Sequence, residues 1–175
     1  PRMQMYLFAG VPTFTVNAPG TVAGNYFAAE SGFSTNNKLA NVGPRTGQVV
    51  WYNDDASPSP THFACNGSAP GSLTGKIAMI IRGGGCAGGF VEKVKNAQNN
   101  GAIAVIMVNN VAGFPITMGG TDNTITIPAV MISQADGNLL AAEIVNNLNV
   151  TLTAGLNLDG DYDNGIVTHE YGHGV

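Results

Sequence analysis

Short apolar runs separated by polar, glycine-rich segments form the dominant pattern of this chain. The clearest runs have five or six residues, which is the length of a strand rather than of a buried helix. Continuous apolar runs of this kind are typical of strands that are buried on both faces. The pattern predicts strands at residues 76–81, 103–108 and 127–132, and shorter ones at 26–29, 48–52 and 150–154.

Two segments have helical rather than strand periodicity. Apolar residues recur at helical spacing between residues 90 and 100, and Gly101 suits the position after a helix end. Ser133 followed by Asp136 resembles a capping box, which predicts a helix from there to about residue 148. Polar loops are predicted at residues 54–72 and 109–126.

Composition limits the class of protein. The 175 residues are enough for one domain with a real core, and 24 of them are glycine, which suits strands and turns. Charged residues make up only 10% and the net charge is -4, with no basic stripe, so nucleic acid is not expected as a partner. No apolar run approaches the ~18 residues that span a bilayer, so no membrane partner is expected either. The two cysteines, Cys65 and Cys86, permit one disulfide or two buried thiols.

The last residues carry an HExxH motif, formed by His169, Glu170 and His173. On a helix the two histidines share a face and can bind one zinc ion, and Glu170 can act as general base on a water. A catalytic zinc needs a third protein ligand, which such peptidases take from downstream. The sequence ends at Val175, so we expect this chain alone to be inactive and to bind zinc weakly or not at all.

Two alternatives to an incomplete peptidase site stay open at this level. The motif could be an exposed helix that carries two histidines by chance. An intact small metalloprotease would instead need an upstream third ligand, and no candidate has a known spacing. These candidates are Glu30, His62, Glu92 and Glu143. His62 otherwise reads as a solvated loop histidine, and Trp51 as a core residue.

Two further motifs imitate ligand sites. Gly83, Gly85 and Gly88 satisfy GxGxxG between a predicted strand and a predicted helix, as in dinucleotide-binding folds. No acidic residue follows the next predicted strand, so a tight glycine turn is favoured. Asp159, Asp161 and Asp163 imitate a calcium loop but lack the required glycine. They are better interpreted as acids before a helix start, with calcium binding in another geometry kept open.

The middle of the chain resembles a protease-associated domain. The resemblance covers about residues 75–140 and rests on Arg82-Gly83 with Cys86, on Phe90-Val91-Glu92-Lys93-Val94, and on Ile127-Pro128-Ala129-Val130. It implies an α+β, mainly β fold, a β-sandwich or open barrel with two flanking helices. It also implies a secreted, extracellular protein, in which Cys65 and Cys86 could persist as a disulfide.

Both ends of the chain resemble a fungalysin-type zinc metallopeptidase. The residues that carry this are 2–8 and 159–174, which include the HExxH motif. The resemblance implies peptidase-derived arms at residues 1–15 and 158–175, around a protease-associated insert at 16–157. The implied partners are the rest of the parent peptidase and protein or peptide substrates. The insert would shape substrate access or bind substrate; the alternative is a purely structural spacer.

Overall fold

The computed structural model describes residues 10–67 and 73–155, together with the backbone of residues 7–8 and 158–159. The strands are β1 (Leu7–Phe8), β2 (Thr13–Ala18), β3 (Gly24–Glu30), β4 (Arg45–Trp51), β5 (Ile77–Ile81), β6 (Ala104–Val108), β7 (Ala129–Ile132), β8 (Asn149–Thr153) and β9 (Leu158–Asp159). The helices are α1 (Leu39–Val42), α2 (Gly89–Asn99) and α3 (Gln134–Ala141), and a 3-10 turn follows at Ile144–Asn146. Every strand predicted from the apolar pattern is present, within a few residues at each end.

Seven strands form a closed barrel in the order β2-β3-β7-β6-β5-β4-β8. Strands β4 to β7 are parallel neighbours in space, and the remaining pairs are antiparallel. The barrel closes because β2 pairs with β3 on one edge and with β8 on the other, so the seven barrel strands have no open edge among them. The mainly β fold is confirmed, and the expected sandwich or open barrel is corrected to a closed one.

The buried side chains divide into two layers. One cluster receives residues from all seven barrel strands, including Phe14 and Ile106, and therefore fills the barrel. The other contains the opposite faces of β5, β6 and β7 and packs against Val94 and Ala97 of α2. These three strands are thus buried on both faces, which explains their uninterrupted apolar sequence.

Helix α3 begins as predicted and ends early. The Ser133 hydroxyl accepts a hydrogen bond from the Asp136 N–H at 3.0 Å, as a capping residue does. The helix stops at Ala141 rather than near residue 148. A 3-10 turn follows it, and Asn147 takes a left-handed conformation with φ 60° before β8 begins.

The two ends of the barrel domain leave it side by side. Strand β1 pairs with β9 through Leu7 and Asp159 and through Phe8 and Leu158, next to the β2–β8 pair. Residues 13–15, assigned from the sequence to the N-terminal arm, pair within the barrel as the start of β2. The division of the chain into arms and insert otherwise stays a prediction. Within the described residues, no helix is both long and apolar enough to cross a membrane.

Candidate functional site

The zinc-binding residues predicted from the sequence, His169, Glu170 and His173, lie outside the described residues, as do the side chains of the aspartates of the calcium-like loop. Among the described residues, no group of three or more His, Cys, Asp or Glu side chains could hold a metal ion. Nothing in that part of the chain therefore supplies a ready-made upstream metal site.

The upstream candidates for a third ligand have local structural contacts. Glu30 accepts the Leu39 N–H at 2.6 Å, and Glu143 accepts the side-chain amide of Asn146 at 2.8 Å. Glu92 accepts the Gly88 N–H at 2.7 Å, close to the start of α2. These contacts place the carboxylates at separate positions of the fold.

His62 and Trp51 form a stacked pair. Their ring centroids are 4.2 Å apart and the planes differ by 13°. The Nδ1 atom of His62 lies 3.0 Å from the carbonyl oxygen of Tyr52, and Trp51 also packs against the barrel core. His62 is half-buried rather than fully solvated as predicted, because the loop that carries it folds back over the end of β4.

A disulfide joins Cys65 to Cys86, with their Cα atoms 5.0 Å apart. It connects the loop before β5 to the glycine loop after β5, across a sequence separation of 21. Closing a loop of this length contributes roughly 3 kcal/mol on the chain-entropy model. The bond expected from the resemblance is therefore present, and it fixes one loop against the other.

The glycine loop is filled by the protein itself. Gly83, Gly84 and Gly85 all have positive φ, and a Cβ on Gly84 would lie 2.4 Å from the Phe63 ring. At the start of α2, where a dinucleotide fold places a pyrophosphate, the Glu92 carboxylate already accepts the Gly88 N–H. The GxGxxG pattern is therefore a tight turn beside a disulfide, in agreement with the interpretation favoured from the sequence.

One carboxylate organises the loop at residues 53–66, here called the anchored loop. Asp54 is only 8% exposed. It accepts the N–H groups of Phe63 at 2.7 Å, Ala64 at 3.2 Å and Asn66 at 3.0 Å, and the Thr61 hydroxyl at 2.9 Å. Burial alone raises the pKa of Asp54, but these hydrogen bonds outweigh burial and hold its pKa below the usual value.

A buried lysine on helix α2 binds the main chain of the anchored loop. Lys93 of α2 is 2% exposed and donates to the main-chain carbonyl of Phe63. Burial lowers the pKa of Lys93 to about 8, against the opposing influence of the Asp54 and Glu92 charges. Because its ammonium is enclosed and directed at main-chain oxygens, Lys93 acts as a structural brace rather than as a reactive group.

An open groove lies on another face of the barrel, between β3, the loop after β6 and the start of α3. We call it the aromatic groove, and its volume is about 540 Å³. The rings of Phe27 and Phe114 meet edge to face there, with centroids 6.1 Å apart. Its lining comprises Phe27, Ala112, Gly113, Phe114, Pro115, Ser133, Gln134, Ala135, Asp136 and Asn138.

The polar side of the aromatic groove can bind but has no catalytic set. The Ser133 hydroxyl is already bonded to Asp136, with Oγ 2.7 Å from Oδ2. In the part of the chain that the structure describes, no histidine lines the groove that could act as a general base on Ser133. The exposed rings and the polar groups beside them suit recognition of a ligand.

The aromatic groove was not predicted from the sequence. The loop after β6 was predicted as polar, although it carries the exposed apolar residues Val111, Phe114 and Ile116. Apolar residues in a predicted surface loop were the available signal, since exposed apolar clusters mark interaction sites. Phe27 gave no comparable signal, because it lies in a strand.

A family model for the PA domain matches residues 45–140, which is more than half of the chain. The chain belongs to the PA domain family. The protease-associated domain inferred from the sequence is thereby confirmed, and the match spans β4 to α3.

Relatives place this domain in several kinds of larger protein. The E3 ubiquitin-protein ligase RNF128 of Xenopus laevis is 38% identical over 91 residues, covering 50% of this chain and 21% of the relative. Leucine aminopeptidase 2 of Arthroderma otae is 38% identical over 105 residues, covering 59% of this chain and 20% of the relative. The chain thus spans about a fifth of the length of these relatives.

Solved structures of aminopeptidases contain a similar fold. An aminopeptidase from Aneurinibacillus sp. strain AM-1 has a TM-score of 0.59 and 25% identity, over 89% of this chain and 32% of that one. BSAP, a zinc aminopeptidase from Bacillus subtilis, has a TM-score of 0.54 and 23% identity, over 89% and 34%. The second likeness supports the fold alone.

Proposed function

We propose that this chain is mainly the non-catalytic PA domain of a secreted zinc metalloendopeptidase of fungalysin type, and that the domain controls the access or binding of protein substrates. The antiparallel pairing of β1 with β9 carries this proposal. A domain inserted into a host must enter and leave at neighbouring points, and these two strands provide such a junction. The HExxH motif begins at His169, about ten residues after β9 ends at Asp159.

The chemistry of the parent is inferred from the motif residues. His169 and His173 would hold zinc, with a third ligand from further along the parent, and Glu170 would accept a proton from the attacking water. When bound, zinc supplies Lewis-acid stabilisation of the developing charge. The 38% identity to leucine aminopeptidase 2 of Arthroderma otae supports a peptidase setting. The disulfide supports secretion, because such bonds persist in oxidising compartments.

The first test removes the domain from the parent. Residues 10–155 would be replaced by a short glycine-serine link, which the neighbouring ends permit. We expect cleavage of a short peptide to continue while the relative rate on a large folded protein changes severalfold. Glu170→Gln in the parent gives the inactive baseline. An unchanged ratio of the two rates would identify the domain as a structural spacer.

The second test uses this chain by itself. We expect no hydrolysis of casein with excess zinc, because two histidines leave the metal short of its usual three protein ligands. The matched control is the Glu170→Gln chain, which removes the proposed base. Hydrolysis by the original chain that this substitution abolishes would show that the site is complete.

A further inference from the structure

We propose that the aromatic groove binds an extended polypeptide segment in which a large apolar side chain stands next to a lysine or arginine. This inference rests on the proposed function, since such a segment would belong to a protein substrate. The occupant follows from three properties of the groove, namely its exposed rings, the Asp136 carboxylate on its polar side and the backbone donors of its rim.

The exposed phenylalanine rings of the groove favour a large apolar side chain in the bound segment. Phe114 is 84% exposed and Phe27 is 48% exposed, and their edge-to-face contact leaves ring surface open to the groove. Exposed apolar clusters rimmed by polar residues mark binding sites. A volume of about 540 Å³ lies within the range of ligand pockets, and it accommodates an aromatic or long aliphatic side chain with its flanking backbone.

The negative charge of the groove favours a lysine or arginine next to that apolar side chain in the bound segment. Among the described residues, Asp136 is the charged residue of the lining, and no lysine, arginine or histidine lines the groove with it. Its negative field reaches nearby groups: burial raises the pKa of Tyr26, and the Asp136 charge raises it further. The chain as a whole also has a net charge of -4. A cation beside the apolar side chain would therefore be favoured, and an acidic one disfavoured.

The backbone N–H groups at the rim of the groove favour an extended polypeptide as the ligand over a small apolar molecule. Within the described part of the chain, the N–H groups of Ala112, Gly113 and Phe114 have no intramolecular hydrogen-bond partner. Such donors can pair with the carbonyl groups of an extended segment, as in the recognition of peptides by main-chain pairing. A purely apolar ligand would leave them to water.

The experiment uses the whole 175-residue chain and fluorescein-labelled octapeptides. The probe is Gly-Ser-Gly-Lys-Phe-Gly-Ser-Gly, with two partners in which its lysine becomes serine or its phenylalanine becomes alanine. Binding would be measured by fluorescence polarisation, and by amide shifts of the ¹⁵N-labelled chain where binding is weak. We expect the lysine–phenylalanine peptide to bind most tightly, the serine–phenylalanine peptide less tightly and the lysine–alanine peptide most weakly. The amide shifts should concentrate on residues 111–116 and 133–138.

Matched variants assign the binding to the groove. Phe114→Ser should weaken binding of the probe by roughly tenfold or more, as expected for an aromatic anchor. Val145→Ser is the control, because Val145 is equally exposed at 84% and lies outside the lining. Asp136→Asn should weaken binding of the lysine–phenylalanine peptide severalfold and leave the serine–phenylalanine peptide almost unchanged.

Several outcomes would overturn the proposal. They are no groove shifts at roughly millimolar probe, equal effects of Phe114→Ser and Val145→Ser, and equal affinity for all three peptides. Concentration-dependent dimerisation abolished by Phe114→Ser, without peptide binding, would assign the face to a second copy. Removal of the domain could change the parent's ratio of protein cleavage to peptide cleavage while Phe114→Ser in the parent leaves that ratio unchanged. In that case the proposed function stands and the groove proposal fails.

Discussion

Replacing Asp54 by alanine is expected to lower the free energy of unfolding by about 3–5 kcal/mol. Three main-chain N–H groups and one hydroxyl lose their acceptor at once, in a loop where Asp54 is 8% exposed. Lys93 also loses a nearby opposite charge. Urea denaturation of the chain, with its disulfide intact, measures the loss.

The adjacent carboxylate offers a matched control. Asp55 is solvent-exposed, and in the described structure it accepts hydrogen bonds from Ser57 alone, from its N–H at 2.9 Å and from its side chain. Asp55→Ala removes the same chemical group one residue away, and we expect little change in stability from it. Equal losses for the two variants would show that Asp54 does not anchor the loop.

The Asp54 contribution should also depend on pH. Because the pKa of Asp54 is lower in the folded chain than in the unfolded one, its stabilisation is fully present above the unfolded pKa of about 4. It is lost as the pH falls through the lower, folded value. The stability difference between the wild-type chain and Asp54→Ala should therefore shrink on acidification. A constant difference from neutral pH into strong acid would contradict the assigned role of the carboxylate charge.

Replacing Gly155 by alanine is expected to cost about 3 kcal/mol, at the upper end of what an overpacked site costs. An ideal Cβ on Gly155 would lie 2.3 Å from the carbonyl carbon of Gly10 and 2.4 Å from the oxygen of Val11. These are main-chain atoms of the segment that leads into β2, so the clash can be relieved only if that segment and the one after β8 move apart. The same urea experiment measures the effect.

Gly20→Ala is the control for this substitution. A Cβ at Gly20 would meet nothing within 4 Å, so alanine should be neutral or stabilise by about 0.5 kcal/mol through the unfolded state. A Gly155→Ala chain as stable as Gly20→Ala would show that the entering and leaving strands are not in close contact. That result would also weaken the junction on which the proposed insertion depends.

Local patterns were sufficient where one element carries its own signal. Strands β5, β6 and β7 were predicted because burial on both faces makes their sequences continuously apolar. The start of α3 was predicted because its cap uses Ser133 and Asp136, which lie three residues apart. The end of α3 was misplaced, because the apolar periodicity continues into a 3-10 turn of similar composition.

Pairing between distant segments had no such signal. The alternation of β2 indicates a strand with one buried face, but nothing in it specifies β3 and β8 as its two neighbours. The choice between an open and a closed sheet depends on that pairing. The expected open barrel was therefore corrected only by the structure.

The sequence by itself determined the family and the mainly β class and supplied the candidate cysteine pair, because these depend on local patterns of residues. Its HExxH motif predicts a zinc site, which stays a prediction. Only the tertiary structure decided which of two adjacent aspartates anchors a loop. It also brought Phe27 and Phe114 together at one groove, although they lie far apart in the chain. The physical reason is that burial and contact depend on which segments the barrel places side by side, and local composition does not encode that arrangement.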